Sequence, residues 1–79
     1  MLLGTVTGAV WATKKCDNLV GLTFLEVFDG TSSIIAADLV GAGLGDRVLV
    51  TTGSGARAGT PNRPCDAAIV AILDEKAPR

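Results

Sequence analysis

The run from Leu2 to Thr13 alternates residue by residue: Leu2, Gly4, Val6, Gly8, Val10 and Ala12 share one face, and Leu3, Thr5, Thr7, Ala9, Trp11 and Thr13 share the other. A period of two over this length specifies a strand, because a helix would bring its apolar positions round every three to four residues. Its threonines and valines suit a pleated surface, while Gly4 and Gly8 mark bends or close backbone approach. The chain therefore opens with one long, curling strand, which needs partners of the same kind.

Later segments supply them. After a polar break at Lys14 to Asn18, Leu22 to Phe28 reads as a second strand with Glu26 as its one charge. Asp29-Gly30 is a two-residue turn signal, since both residues tolerate positive φ, and it predicts a hairpin into Ser33 to Val40. Gly41 to Asp46 interrupts the pattern before Arg47 to Thr52 resumes it. Gly53 to Pro64 reads as a loop holding at most one helical turn at Ser54 to Arg57, with Ser54 as its cap. Ala67 to Leu73 suits a buried strand or a short helix, and its length favours the strand. Five short strands with glycine-bearing bends predict an all-β fold, a small and partly open OB-like barrel.

Size adds a constraint on assembly. A chain of 79 residues holds one domain, and a domain this small buries only about 60% of its unfolded surface. Yet 48% of the residues are hydrophobic, 19% are charged, and the mean hydropathy is +0.45. Small scaffolds gain stability from disulfides, metals or oligomerisation. Cys16 and Cys65 are the only cysteines; Leu2-Leu3 runs straight into Gly4 rather than an apolar leader, which predicts a cytoplasmic location and reduced thiols. Two distant cysteines and no histidine do not make a structural zinc site. Oligomerisation is the expected remedy. No apolar run reaches the ~18 residues of a membrane span, and a net charge of -1 predicts neither nucleic acid nor anionic lipid as partner.

The reactive constellations are weak. Gly41-Ala42-Gly43-Leu44-Gly45 follows a strand as a dinucleotide loop does, but Asp46-Arg47-Val48-Leu49-Val50 continues as a strand where that motif needs a helix. Gly53-Ser54-Gly55-Ala56-Arg57 is not a nucleophile elbow, and no histidine is present to act as its base. Lys14 and Lys15 beside Cys16 favour a thiolate, although a free loop thiol is the simpler reading. Asp38, Asp46, Asp66 and Asp74 lie at strand ends or turns, where aspartate satisfies backbone donors. No catalytic, cofactor-binding or metal-binding residues are assigned. OB-type barrels also bind single-stranded nucleic acid, but that needs stacking aromatics and a basic groove, against one Trp and two Phe here.

Four blocks carry a family resemblance: Met1-Leu2-Leu3-Gly4-x-Val6-x-Gly8-x-Val10, Ala37-Asp38-Leu39-Val40-Gly41-Ala42-Gly43-Leu44-Gly45-Asp46, Gly53-Ser54-Gly55-Ala56-Arg57 and Asp66-Ala67-Ala68-Ile69-Val70. In that order they resemble the bacterial microcompartment vertex protein family, the pentameric shell proteins of carboxysomes and ethanolamine-utilisation compartments, over nearly the whole of residues 1–79. The resemblance implies a homo-pentamer that replaces a hexamer where a flat shell must curve and close, with hexameric shell proteins as neighbours and no reaction of its own. It places Gly41, Ala42, Gly43, Gly45, Asp46, Ser54 and Arg57 at a subunit interface or the ring centre. There, clustered glycines would let backbone pass a neighbour, unless positive φ is their reason. A carboxylate such as Asp46 or Asp66 is a candidate partner of Arg57, though the sequence does not single one out.

Overall fold

The computed structural model describes residues 1–11, 14, 15, 17–59 and 65–74. Five strands, β1 (Leu2–Val10), β2 (Thr23–Phe28), β3 (Ser33–Asp38), β4 (Arg47–Thr52) and β5 (Ala67–Ile72), close into a barrel in the order β1-β2-β3-β5-β4. All neighbours are antiparallel except β3 and β5. That parallel seam is short, with only Ala37↔Ala68 and Asp38↔Ile69 paired. The OB-like barrel expected from the strand pattern is therefore present, closed rather than partly open. Residues Ala12, Thr13 and Cys16 of the expected first strand and break lie outside the described residues.

The alternation of β1 holds only for half its length. Val6 pairs with Val27 and Gly8 with Glu26, so the register shifts at Thr7–Gly8 and both residues face one on β2. Such a bulge reverses the parity of the residues beyond it and bends the strand. Leu2, Gly4 and Val6 point inward, whereas past the bulge it is Ala9 that pairs with buried Leu25. Thr7 fixes the bulge from outside, its Oγ1 donating to Glu26 Oε1 at 2.9 Å. Glycine at position 8 announced a bend; which residue would double up was not written in the pattern.

The β2–β3 connection also differs from a two-residue turn. Phe28 pairs with Ser33, and Asp29 to Ser32 form the loop. Asp29 Oδ1 accepts from Thr31 N and Ser32 N at 2.9 Å each, and Asp29 N donates to Ser32 O at 3.0 Å. The amides of Ser32 and then Thr31 hold this carboxyl below the usual carboxylate range. Aspartate has organised a wider turn with its own side chain, and Gly30 takes the left-handed conformation within it, φ 103°.

Inside, Val6, Leu25, Val27, Ala36, Val48, Val50, Ala67 and Ile69 form one core, with Leu2, Ile34 and Ala42 packed at its ends. A second layer covers part of the outer face. The row Thr51–Ala68–Ala37 runs across β4, β5 and β3, and helix α1 (Ser54–Gly59) packs over it with Ala56 fully buried. The helix is longer than the single turn expected at Ser54 to Arg57. Gly53 rather than Ser54 caps it: its carbonyl accepts the first helical bond from Arg57 N at 3.1 Å, and its own N–H donates to Asp66 O at 2.8 Å.

Candidate functional site: the β3–β4 loop and helix α1

The block from Gly41 to Asp46 is a turn that folds onto β1. Asp38 at the end of β3 uses Oδ1 to accept from Val40 N and Gly41 N, at 3.1 and 3.0 Å. Asp46 uses Oδ2 to accept from Gly43 N at 2.8 Å, while Asp46 N donates to Gly43 O at 3.1 Å. Val6 then clamps the loop from β1, with Gly45 N donating to Val6 O at 2.9 Å and Val6 N donating to Asp46 O at 3.0 Å. Both aspartates do the turn work expected of them.

The glycines of this loop divide. Gly41 and Gly45 have φ of 79° and 86°, a region that costs an L-residue about 1–2 kcal/mol. Gly43 does not adopt that conformation, and a Cβ there would meet only Asp46 Oδ2, at an ordinary 3.8 Å. Among the described residues nothing requires glycine at 43. Gly45→Ala is accordingly expected to lower the unfolding free energy read from urea titration by about 1–2 kcal/mol, while Gly43→Ala leaves the fold itself untouched. Equal losses in both variants would show that the local conformational argument is wrong.

Ser54 and Arg57 stand apart from this loop, exposed on α1. The helix lies against β4 and β5 and reaches the loop's beginning at its far end, where a Cβ on Gly59 would sit 2.9 Å from Leu39 Cδ1. Its fit on the barrel depends on Gly55, whose Cβ would collide with Thr51 Oγ1. The carboxylate of Asp46, one candidate partner for Arg57, is turned back on its own loop. Cys65 is a buried free thiol just before β5; Cys16 lies outside the described residues.

A feature that sequence reasoning missed lies at the barrel end beside β1. A groove of about 300 Å³ is lined by the apolar Ala9, Val10, Trp11, Leu19, Leu22 and Phe24 together with Lys15 and Thr23. The short 3-10 turn Asp17–Leu19 carries Leu19 into it. The signal was present in Trp11, a large apolar residue next to a polar break, but a period-two reading assigns it only to a face. Among the described residues, no three His, Cys, Asp or Glu side chains converge as a metal site would require.

Asp29, Asp38 and Asp46 are committed to turns, and large apolar side chains such as Trp11 and Leu44 stand exposed on the outside of a closed barrel. Over residues 1–74 the chain matches the family model described as ethanolamine utilisation protein EutN/carboxysome, and it belongs to that family. Its relatives include the carboxysome shell vertex protein CcmL of Synechocystis sp., 43% identical, the alignment covering 94% of this chain and 83% of that protein. The bacterial microcompartment shell vertex protein PduN of Salmonella typhimurium is 40% identical, over 94% of this chain and 96% of its own length. Among solved structures, the GrpN pentameric microcompartment shell protein from Rhodospirillum rubrum superposes with a TM-score of 0.85 at 38% identity, covering 94% of each chain.

Proposed function

We infer that this protein is a structural vertex subunit of a bacterial microcompartment shell, one domain over residues 1–79 that assembles as a homo-pentamer. The observation that carries this is near full-length similarity, in sequence and in fold, to shell vertex proteins of carboxysomes and other microcompartments. A five-fold ring among six-fold neighbours supplies the curvature a flat layer lacks, so hexameric shell proteins are its partners. It performs no reaction and holds no cofactor; its role is geometric. Gly41, Ala42, Gly43, Gly45, Asp46, Ser54 and Arg57 contribute to the contact between subunits or to the ring centre.

The physical balance favours assembly. A small domain has little core to spare, and Trp11, Leu44, Met1 and Val20 are more than half exposed in the single chain. Covering apolar surface contributes about 25 cal/mol per Å², repeated at every junction of a closed ring. The test is the solution mass by light scattering after size-exclusion chromatography. Five subunits of 8.0 kDa, about 40 kDa in all, are expected, and a clean monomer would overturn the reading.

A further inference from the structure

We propose that Leu44 of one copy inserts into the groove between Val10, Trp11, Leu19, Leu22 and Phe24 of the next, so that this knob and this groove are the two halves of the ring contact. The inference rests on the vertex reading and says how its subunits join. A ring of more than two identical subunits closes through a heterologous contact, in which two different patches of the same chain meet at every junction. The chain must therefore present a donor patch and a matching acceptor.

Leu44 has the character of a donor. It is 78% exposed at the tip of the β3–β4 loop, yet that tip is held by the Gly43–Asp46 turn and by two backbone bonds to Val6. A leucine in water on a fixed backbone loses little further freedom on docking. Glycines flank it on both sides. Gly45 is explained by its positive φ, but Gly43 is not. Clearance for another molecule beside Leu44 gives Gly43 a physical reason.

The groove has the character of an acceptor. Among the described residues Trp11, 89% exposed, is the most exposed large apolar side chain, and with its neighbours it lines a mostly apolar hollow with room for an aliphatic side chain. Aromatic residues that line a pocket at an interface commonly carry most of its affinity. Charge agrees as well: from Asp38 to Asp46 the knob's loop holds two aspartates and no cation, while the groove's stretch from Ala9 to Phe24 holds Lys14 and Lys15 against Asp17. Opposite signs around an apolar contact steer it and fix its register.

Cross-linking tests the pairing. In a Cys16→Ser background, Leu44→Cys combined with Thr23→Cys in the groove lining should be joined between subunits by a short bismaleimide, giving a ladder from dimers up to the closed ring. Either single variant should stay at the mass of one subunit. The single tryptophan gives a second readout: Leu44→Ser is expected to shift Trp11 emission to the red and reduce the particle mass, while Leu44→Met keeps both. A missing ladder with a five-subunit mass retained, equal cross-linking by Leu44→Cys alone, or unchanged mass and emission in Leu44→Ser would each overturn the knob-and-groove contact while leaving the ring. A monomeric unsubstituted protein would instead overturn the vertex reading, and this contact with it.

Discussion

Ile69→Ala is expected to remove about 2–5 kcal/mol of stability, enough to leave much of the protein unfolded at room temperature. Ile69 is the largest of the fully buried side chains, and its position magnifies the loss. On β5 it pairs with Val50 of β4 and with Asp38 of β3, and its carbonyl accepts from Leu39 N at 3.2 Å. It thus packs beneath the short parallel seam that closes the barrel. Truncation leaves a cavity lined by branched side chains that strand pairing holds apart, so little collapse can offset it. Native domains retain only about 0.05–0.15 kcal/mol per residue, and a barrel this small is at the lower end. Urea unfolding at one fixed protein concentration checks this, since ring formation raises apparent stability by mass action. Ile69→Val, expected to cost about 0.5–1.5 kcal/mol, serves as the graded control. An Ile69→Ala loss no larger than that of Ile69→Val would show that the seam adapts and the core is not shared in this way.

The strands were legible because period two and turn residues are local properties. Arg47–Thr52 agrees with its expected limits, and the other strands differ by a residue or two at their ends, apart from β1, where the expected tail includes residues outside those described. What escaped is non-local. A bulge is decided by two strands together, so Thr7–Gly8 is fixed by Glu26 on β2 as much as by β1. Helix α1 outgrew a single turn because Ala56 and Gly55 fit the outer row of β4 and β5, a surface that exists only once the barrel has closed. At the candidate site, the glycine-aspartate block was readable as a turn, and the hydrogen bonds of Asp38 and Asp46 place it as one. The groove was not readable although its lining falls within the single stretch from Ala9 to Phe24, because the end of β1, the 3-10 turn and the start of β2 enclose a hollow only once the chain has folded back on itself.

Gly4→Val is expected to abolish folding, and Gly4→Ala to cost about 1–3 kcal/mol, the usual range for an overpacked core. Gly4 lies on the inward face of β1, where a Cβ would collide with Val27 Cγ1 and sit 2.8 Å from the Phe28 carbonyl oxygen. Val27 is fully buried, and a backbone carbonyl moves only if β1 and β2 separate. Glycine weakens a regular element by roughly 0.5–1 kcal/mol relative to alanine, so the steric cost must exceed that gain for the prediction to hold. Gly8→Ala is the matched comparison, because nothing lies within 4 Å of the added carbon. Thermal or urea midpoints should therefore fall in the order Gly8→Ala, then Gly4→Ala, then Gly4→Val; a Gly4→Ala protein as stable as the unsubstituted chain would refute the close-approach argument. The two glycine blocks of the resemblance then separate by physical cause: Gly4 serves the inside of one barrel, whereas a Cβ at Gly43 would meet, among the described residues, only Asp46 Oδ2 at an ordinary distance.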